Sequence, residues 1–296
     1  MTIYGLPGVQ QRSCGGDDDG DDDPDPAKPM ERSLRVGSGF VLDRLGHVVT
    51  AAHVVEGCDR VIVKVSDGRV AEATKVGADV QADVAVLKLP FAPRAPLLGQ
   101  SRTLRPGDWV LAVGHPFGLG PAVSAGIVSS VGQFLPGESE LPFIQIDATL
   151  SPGNSGGPLV DHSGALVGMN SRVIAGLGGE PGICLSVPIE LVLAVAEELK
   201  QGRKTRPALG ADFGDLPAPI AAMQGRSDAN GALVTAVDAG SVAQRLGLRQ
   251  GDVVVQMNGM PISSGADLAI VLSGWRSVPG TVLMVLRGRR LVRLGA

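Results

Sequence analysis

Between Val36 and Val187 the chain is cut into short runs of Val, Ile, Leu and Ala, each closed by Gly or another turn former, and this punctuation constrains the fold most. The runs are Gly39–Leu42, Val48–Thr50, Val61–Val65, Val84–Leu89, Trp109–Val113, Val123–Val131, Phe143–Asp147, Ala165–Met169 and Ile183–Val187. They are too short for most helices and rich in the β-branched residues that pack well on a pleated surface, so they are read as strands. That many short strands in succession predict a barrel or sandwich. Aromatic residues make up only 3% of the chain, so the core has to be built from aliphatic side chains. No run approaches the ~18–20 apolar residues of a membrane span, and no transmembrane segment is expected.

At Pro188 the pattern changes. Pro188–Gln201 reads as a helix, with Ser186 available as its cap and Pro188 near the first turn. Glu190 lies early, Lys200 and Arg203 lie late, and Gly202 stops it, in the order that the helix dipole and end signals require. The polar stretch after it reads as a linker. Residues 208–296 then alternate strand (Ala232–Val237, Val253–Met257, Thr281–Arg287) with helix (Ser241–Leu246, Ala266–Ser273) and hold no histidine, which suits a binding module better than an enzyme. The expected organisation is an acidic flexible segment over 1–33, a β-rich unit over 34–187, a connector over 188–207 and a small α+β unit over 208–296.

The formal net charge of −4 is uneven. Residues 1–26 hold seven Asp and one Arg, which leaves 25 basic against 23 acidic groups in residues 27–296, a net of +2. Without a basic stripe, no nucleic-acid partner is expected. The run Asp17–Asp25 lacks the ligand spacing and closing Glu of a calcium loop and reads as a solvated loop. Cys14, Cys58 and Cys184 show neither metal spacing nor a disulfide framework, so neither a metal nor a cofactor is expected. The first residues carry no basic n-region and apolar h-region, so no signal peptide is visible.

The chemistry concentrates in Ser151-Pro-Gly-Asn-Ser155-Gly-Gly-Pro158. A serine hydroxyl is a poor nucleophile alone, and its attack on a carbonyl creates an oxyanion that needs preorganised donors. Glycines on both sides of Ser155 allow a tight turn rich in backbone N–H groups. A base is found by exclusion among four histidines. His162 and His115 lie in turns and His47 starts a strand, whereas His53 ends a strand, preceded by Ala51-Ala52 and followed by Val54-Val55. The orienting acid has to be a carboxylate in an apolar setting. Asp83 fits, directly ahead of the run Val84–Leu89; Asp147 competes, eight residues before Ser155, and reads as a hydrogen-bond acceptor near the same site. His53, Asp83 and Ser155 follow the order histidine, aspartate, serine of chymotrypsin-type enzymes.

Residues 36–296 resemble the HtrA/Deg serine proteases, in which a protease domain is followed by PDZ. The matching segments are Gly37-Ser-Gly-Phe40, Thr50-Ala-Ala-His-Val-Val55, Val76-Gly-Ala-Asp79, Ala82-Asp-Val-Ala-Val-Leu-Lys88, Gly107-Asp-Trp-Val-Leu-Ala-Val-Gly114, Pro116-Phe-Gly-Leu119, Ser124-Ala-Gly-Ile-Val128 and Gly153-Asn-Ser-Gly-Gly-Pro158. In the second unit they are Gly231–Val237, Gly240–Asp252 and Val255–Gly259. The resemblance implies a mainly β, chymotrypsin-like double β-barrel followed by a small α+β PDZ domain. It implies His53 as general base, Asp83 as its orienting acid, Ser155 as nucleophile, and the N–H groups of Gly153 and Ser155 as the oxyanion hole. By analogy Thr149 floors the primary specificity pocket and Ile183, Cys184 and Leu185 belong to its wall, which predicts cleavage after small or medium aliphatic residues rather than Arg or Lys.

PDZ domains add a peptide strand to a sheet edge and capture its terminal carboxylate. Here Leu209, Gly210 and Ala211 would form the receiving loop, with helix Ala266–Ser273 as the pocket wall; Leu209 reads equally as core. The resemblance further implies unfolded polypeptide substrates, C-terminal peptides at the PDZ domain, a homotrimer, and a periplasmic or extracytoplasmic location. The leading expectation is an ATP-independent serine endopeptidase for unfolded or damaged proteins. The alternative is a protease-fold chaperone or PDZ scaffold with little proteolytic activity.

Overall fold

The computed structural model describes residues 1–7, 34–135, 139–174, 182–202, 209–273, 275 and 280–295. Among these, the strands close into two barrels and one open sheet. The first barrel runs β1 (Thr2–Pro7), β2 (Arg35–Val41), β3 (His47–Thr50), β6 (Val84–Lys88), β5 (Val70–Asp79) and β4 (Cys58–Lys64). The second runs β10 (Pro158–Asp161), β11 (Leu166–Ile174), β12 (Ile183–Pro188), β9 (Ser139–Ile146), β8 (Ala122–Leu135) and β7 (Trp109–Gly114). The mainly β expectation holds, and a closed barrel leaves no sheet edge to manage.

β1 corrects the sequence reading. Residues 1–33 were expected as one acidic, flexible segment, yet Thr2–Pro7 pairs with β2 on one side and β4 on the other and closes the first barrel. Ile3 is fully buried in the same core cluster as Phe40, Val63 and Leu87. The alternation Thr-Ile-Tyr-Gly-Leu is strand-like; the Asp-rich stretch beyond it lies outside the described residues. β5 and β10 were also missed, being polar or short.

Packing in this core is mainly aliphatic, with Phe40 and Phe143 as its buried aromatics. Val48, Val84, Val86, Leu166, Met169 and Leu185 are all buried in a continuous core. Helix α2 (Ile189–Lys200) caps it with Ile189, Leu191, Val192, Val195 and Ala196. Its start corrects one detail: the N-cap is Pro188, and Ser186 instead lies in β12, its hydroxyl donating to Asn170 Oδ1 at 3.3 Å.

The C-terminal unit is a sheet in the order β13 (Ala211–Asp215), β14 (Ala232–Val237), β15 (Val253–Met257), β17 (Leu283–Arg287), β18 (Arg290–Leu294), with β16 (Met260–Pro261) on β15. Three short helices accompany it: α3 (Ala218–Met223), α4 (Val242–Leu246), capped by Ser241 Oγ, and α5 (Gly265–Ser273). One face of α5 sends Leu268 and Val271 into this unit's core. Ala266, on another face, meets Gly132 of β8 so closely that a side chain at 132 would collide with it. Arg102, in a 3₁₀ turn of the first unit, pairs with Asp267 at 2.8 Å and donates to the Pro261 carbonyl at 2.9 Å. Arg102, Arg226, Asp228, Pro261 and Asp267 help line a cleft of about 590 Å³ at this boundary, and none of its lining residues belongs to the Ser155 turn.

Candidate active site

His53 sits on a single turn of helix, α1 (Ala52–Val55), held by the buried side chains of Ala52, Val54 and Val55. The small residues ahead of it let the turn press onto the barrel. Its ring stays at the surface, 48% exposed, with Nδ1 turned inward to Asp83 at 2.9 and 3.0 Å from the two carboxylate oxygens. The His53 N–H donates to the same carboxylate at 3.1 Å. Asp83 itself is buried and has φ of +54°, in the left-handed region that Asp tolerates better than most residues. Its backbone is fixed there by Asp83 N–H to the Val80 carbonyl and by Ala52 N–H to the Asp83 carbonyl. Burial pushes the Asp83 carboxyl upward, but the hydrogen bonds and charge of His53 and the hydroxyl of Ser171 overcome it and hold the group below the usual carboxylate range.

Ser155 stands in the glycine turn between the barrels. The turn is clamped by Ser38 of β2, whose N–H donates to the Ser155 carbonyl at 2.8 Å and whose hydroxyl donates to the Gly153 carbonyl at 2.7 Å. Gly153 (φ +101°) and Gly156 (φ +83°) are required here: a Cβ at the first would strike the His115 carbonyl, and at the second the Ser38 carbonyl and Thr50 hydroxyl. Neither the Gly153 nor the Ser155 N–H donates to another described residue.

The sequence did not single out Ser171. It lies on β11, and its hydroxyl donates to Asp83 Oδ2 at 2.6 Å while its carbonyl accepts from Ser155 Oγ at 2.9 Å. His53, Asp83, Ser171 and Ser155 therefore form one connected hydrogen-bond chain. In this arrangement the Ser155 hydroxyl points to Ser171 rather than to His53. Asp147, the rival acid, is exposed and accepts from the Ile127 N–H, so the structure does not bring it to His53.

The other expected site residues divide. Thr149 is exposed, its carbonyl accepting from Ser124 Oγ at 2.6 Å, and Ile183 is exposed at the start of β12. Cys184 and Leu185 are buried, Cys184 in the second barrel's core and Leu185 in the core between barrels, so their side chains serve as packing. The loop 175–181 that leads to Ile183 lies outside the described residues. In the C-terminal unit Leu209 is 4% exposed and belongs to the core, with its carbonyl accepting from Ala243 N–H. Gly210 has φ of +77° and abuts Ser241, while Ala211 opens β13, the edge strand beside α5. No described helix is long and apolar enough to cross a membrane.

Comparison with known proteins matches residues 37–169 to a trypsin-like peptidase domain and residues 233–279 to a PDZ domain. A probable periplasmic serine endoprotease, DegP-like, of Ectopseudomonas mendocina is 41% identical over 251 residues, covering 84% of this chain and 53% of the relative. Its counterpart in Halomonas elongata is 39% identical over 262 residues, covering 87% and 55%. The chain thus spans about half the length of the curated relatives it matches. Among solved structures, the HtrA-type protease AlgW with tripeptide superposes with a TM-score of 0.66 at 32% identity, covering 99% of this chain and 90% of that one. The serine endoprotease from Yersinia pestis gives a TM-score of 0.55 at 26% identity, covering 99% and 91%.

Proposed function

Because the chain belongs to the HtrA family of serine proteases, we propose that it hydrolyses peptide bonds of unfolded or damaged polypeptides, without ATP, through Ser155. The observation that carries this is the bond from His53 Nδ1 to the buried Asp83, joined through Ser171 to Ser155. Asp83 fixes the His53 tautomer that carries its proton on Nδ1, leaving Nε2 as the base. Rotation of the Ser155 hydroxyl away from the Ser171 carbonyl delivers its proton to Nε2 and its oxygen to the substrate carbonyl. The tetrahedral oxyanion is received by the N–H groups of Gly153 and Ser155. His53 then returns the proton to the leaving amine, and water repeats the cycle on the acyl-enzyme. Thr149 and Ile183, neither of them acidic, favour aliphatic residues before the scissile bond.

The C-terminal unit takes peptide C-termini along the edge of β13, with Gly210 and Ala211 at the carboxylate end. A homotrimer is supported by the outer face of the second barrel. There Trp109 and Val123 are 64% and 60% exposed, and Leu111 lies between them on the same face of paired strands. Adjacent exposed apolar side chains of this kind suit a protein–protein contact. We place the protein in the periplasm, as its relatives' names indicate.

The test is digestion of an unfolded protein such as reduced carboxymethylated casein, with Ser155→Ala alongside. Cleavage by the wild type and none by the variant supports the protease; peptide binding without cleavage by either supports a scaffold. Light scattering tests the assembly: Trp109→Glu should reduce a trimer to monomers, and a trimer that survives it rejects this face as the interface.

A further inference from the structure

His115 takes no part in the chemistry described above, yet it braces the back of the nucleophile turn. Its loop is a 3₁₀ turn, Pro116–Gly118, in which the Phe117 N–H donates to the Pro152 carbonyl at 2.7 Å. A trans peptide holds its C=O and N–H in opposite directions. Tying the Pro152 carbonyl to Phe117 therefore aims the N–H of the same peptide unit, that of Gly153, away from the Phe117 loop. The Phe117 hydrogen bond sets the orientation of one oxyanion donor.

Phe117 is poorly held by its own side chain. It is 64% exposed and has φ of +52°, a conformation that an aromatic residue keeps only when its surroundings impose it. Backbone bonds from Gly118 N–H to the His115 carbonyl and from Leu119 N–H to the Pro116 carbonyl close the turn, and the ring of His115 ties it to the first barrel. Nε2 lies 3.1 Å from the Gly118 carbonyl and Nδ1 lies 3.0 Å from Thr2 Oγ1. A carbonyl only accepts, so Nε2 carries a proton, and in the neutral ring Nδ1 accepts from the Thr2 hydroxyl. Thr2 is 5% exposed and stands opposite Ser38 in the β1–β2 ladder, the residue that holds the Gly153 and Ser155 carbonyls. The first barrel thus grips the turn twice, directly through Ser38 and indirectly through Thr2, His115 and Phe117.

We propose that His115, anchored by Thr2, is a positioning residue for the Gly153 oxyanion donor. The proposal rests on the protease reading given above. Its signature is a loss confined to the transition state, since the oxyanion forms only there. A quenched fluorescent peptide cut after Val, and a peptide boronate whose tetrahedral adduct mimics the oxyanion, read it out on His115→Ala, Thr2→Val, Thr2→Ser and the double variant His115→Ala/Thr2→Val.

His115→Ala and Thr2→Val should each lower kcat and boronate affinity by a common factor of about 10 or more, short of the 10²–10³ for outright loss of an oxyanion donor. KM should stay within about twofold. Thr2→Ser, which keeps the hydroxyl, should match the wild type, and the double variant should be no worse than His115→Ala, as for residues acting in series. Unchanged kcat and boronate affinity with only a lowered Tm, or losses confined to KM, would overturn the brace while leaving the protease intact. A wild type that neither cuts the peptide nor binds the boronate would remove the protease reading and the brace together.

Discussion

Asp83 accepts from the backbone and the ring of His53 and from the hydroxyl of Ser171, so its charge is balanced from three directions although it is buried. Asp83→Asn should lower kcat by about 10⁴-fold with little change in KM, because the amide supports the wrong imidazole tautomer. The same group links stability to pH. Its folded pKa lies below the unfolded value, so its contribution is present above the ordinary Asp value of about 3.9 and is lost as pH falls through the lower folded one. The gap between the urea midpoints of wild type and Asp83→Asn should hold steady above about pH 5 and narrow below about pH 4; a constant gap across that range would contradict the assignment. His53 and Asp83, which the structure pairs, were legible only jointly with Ser155, through the order histidine, aspartate, serine, since neither local pattern is decisive alone. Ser171 was not: it contributes a hydroxyl and a carbonyl from a strand sixteen residues beyond Ser155, and nothing in Met169-Asn-Ser-Arg172 marks either.

Among elements, β1 shows where composition misleads. Thr2–Pro7 carries the alternation of a strand, but the acidic run that follows dominates any average taken over residues 1–33. What decides the matter is non-local: β2 and β4 each present an edge that only another strand satisfies. Ile3→Ala should therefore destabilise the protein by about 2–5 kcal/mol, as for a fully buried core side chain, measured as a shift in urea midpoint. A shift within ±0.5 kcal/mol, the range of surface changes, would mean that β1 is not part of the folded barrel. The connector helix was legible almost to the residue because its end signals are local. Its cap was misassigned because Ser186 is claimed by Asn170 across the sheet.

Across the whole molecule, the two units meet through α5 and the Arg102–Asp267 pair, which is only partly buried. Partly exposed ion pairs contribute little, so Arg102→Ala should leave the barrels' stability within about 0.5 kcal/mol of wild type. It should also raise the radius of gyration in solution scattering as the C-terminal unit loosens; an unchanged radius would show that the contact of Ala266 with Gly132 suffices. The order of units could be read from the chain, but their contact could not, since Arg102 and Asp267 lie 165 residues apart in segments that look like ordinary surface. Every step of the proposed hydrolysis depends on Ser155 being activated by His53. Intact-mass measurement and peptide mapping after diisopropyl fluorophosphate treatment test that most directly. One adduct on Ser155, absent from His53→Ala, is the predicted result; no adduct, or equal labelling of His53→Ala, would contradict it.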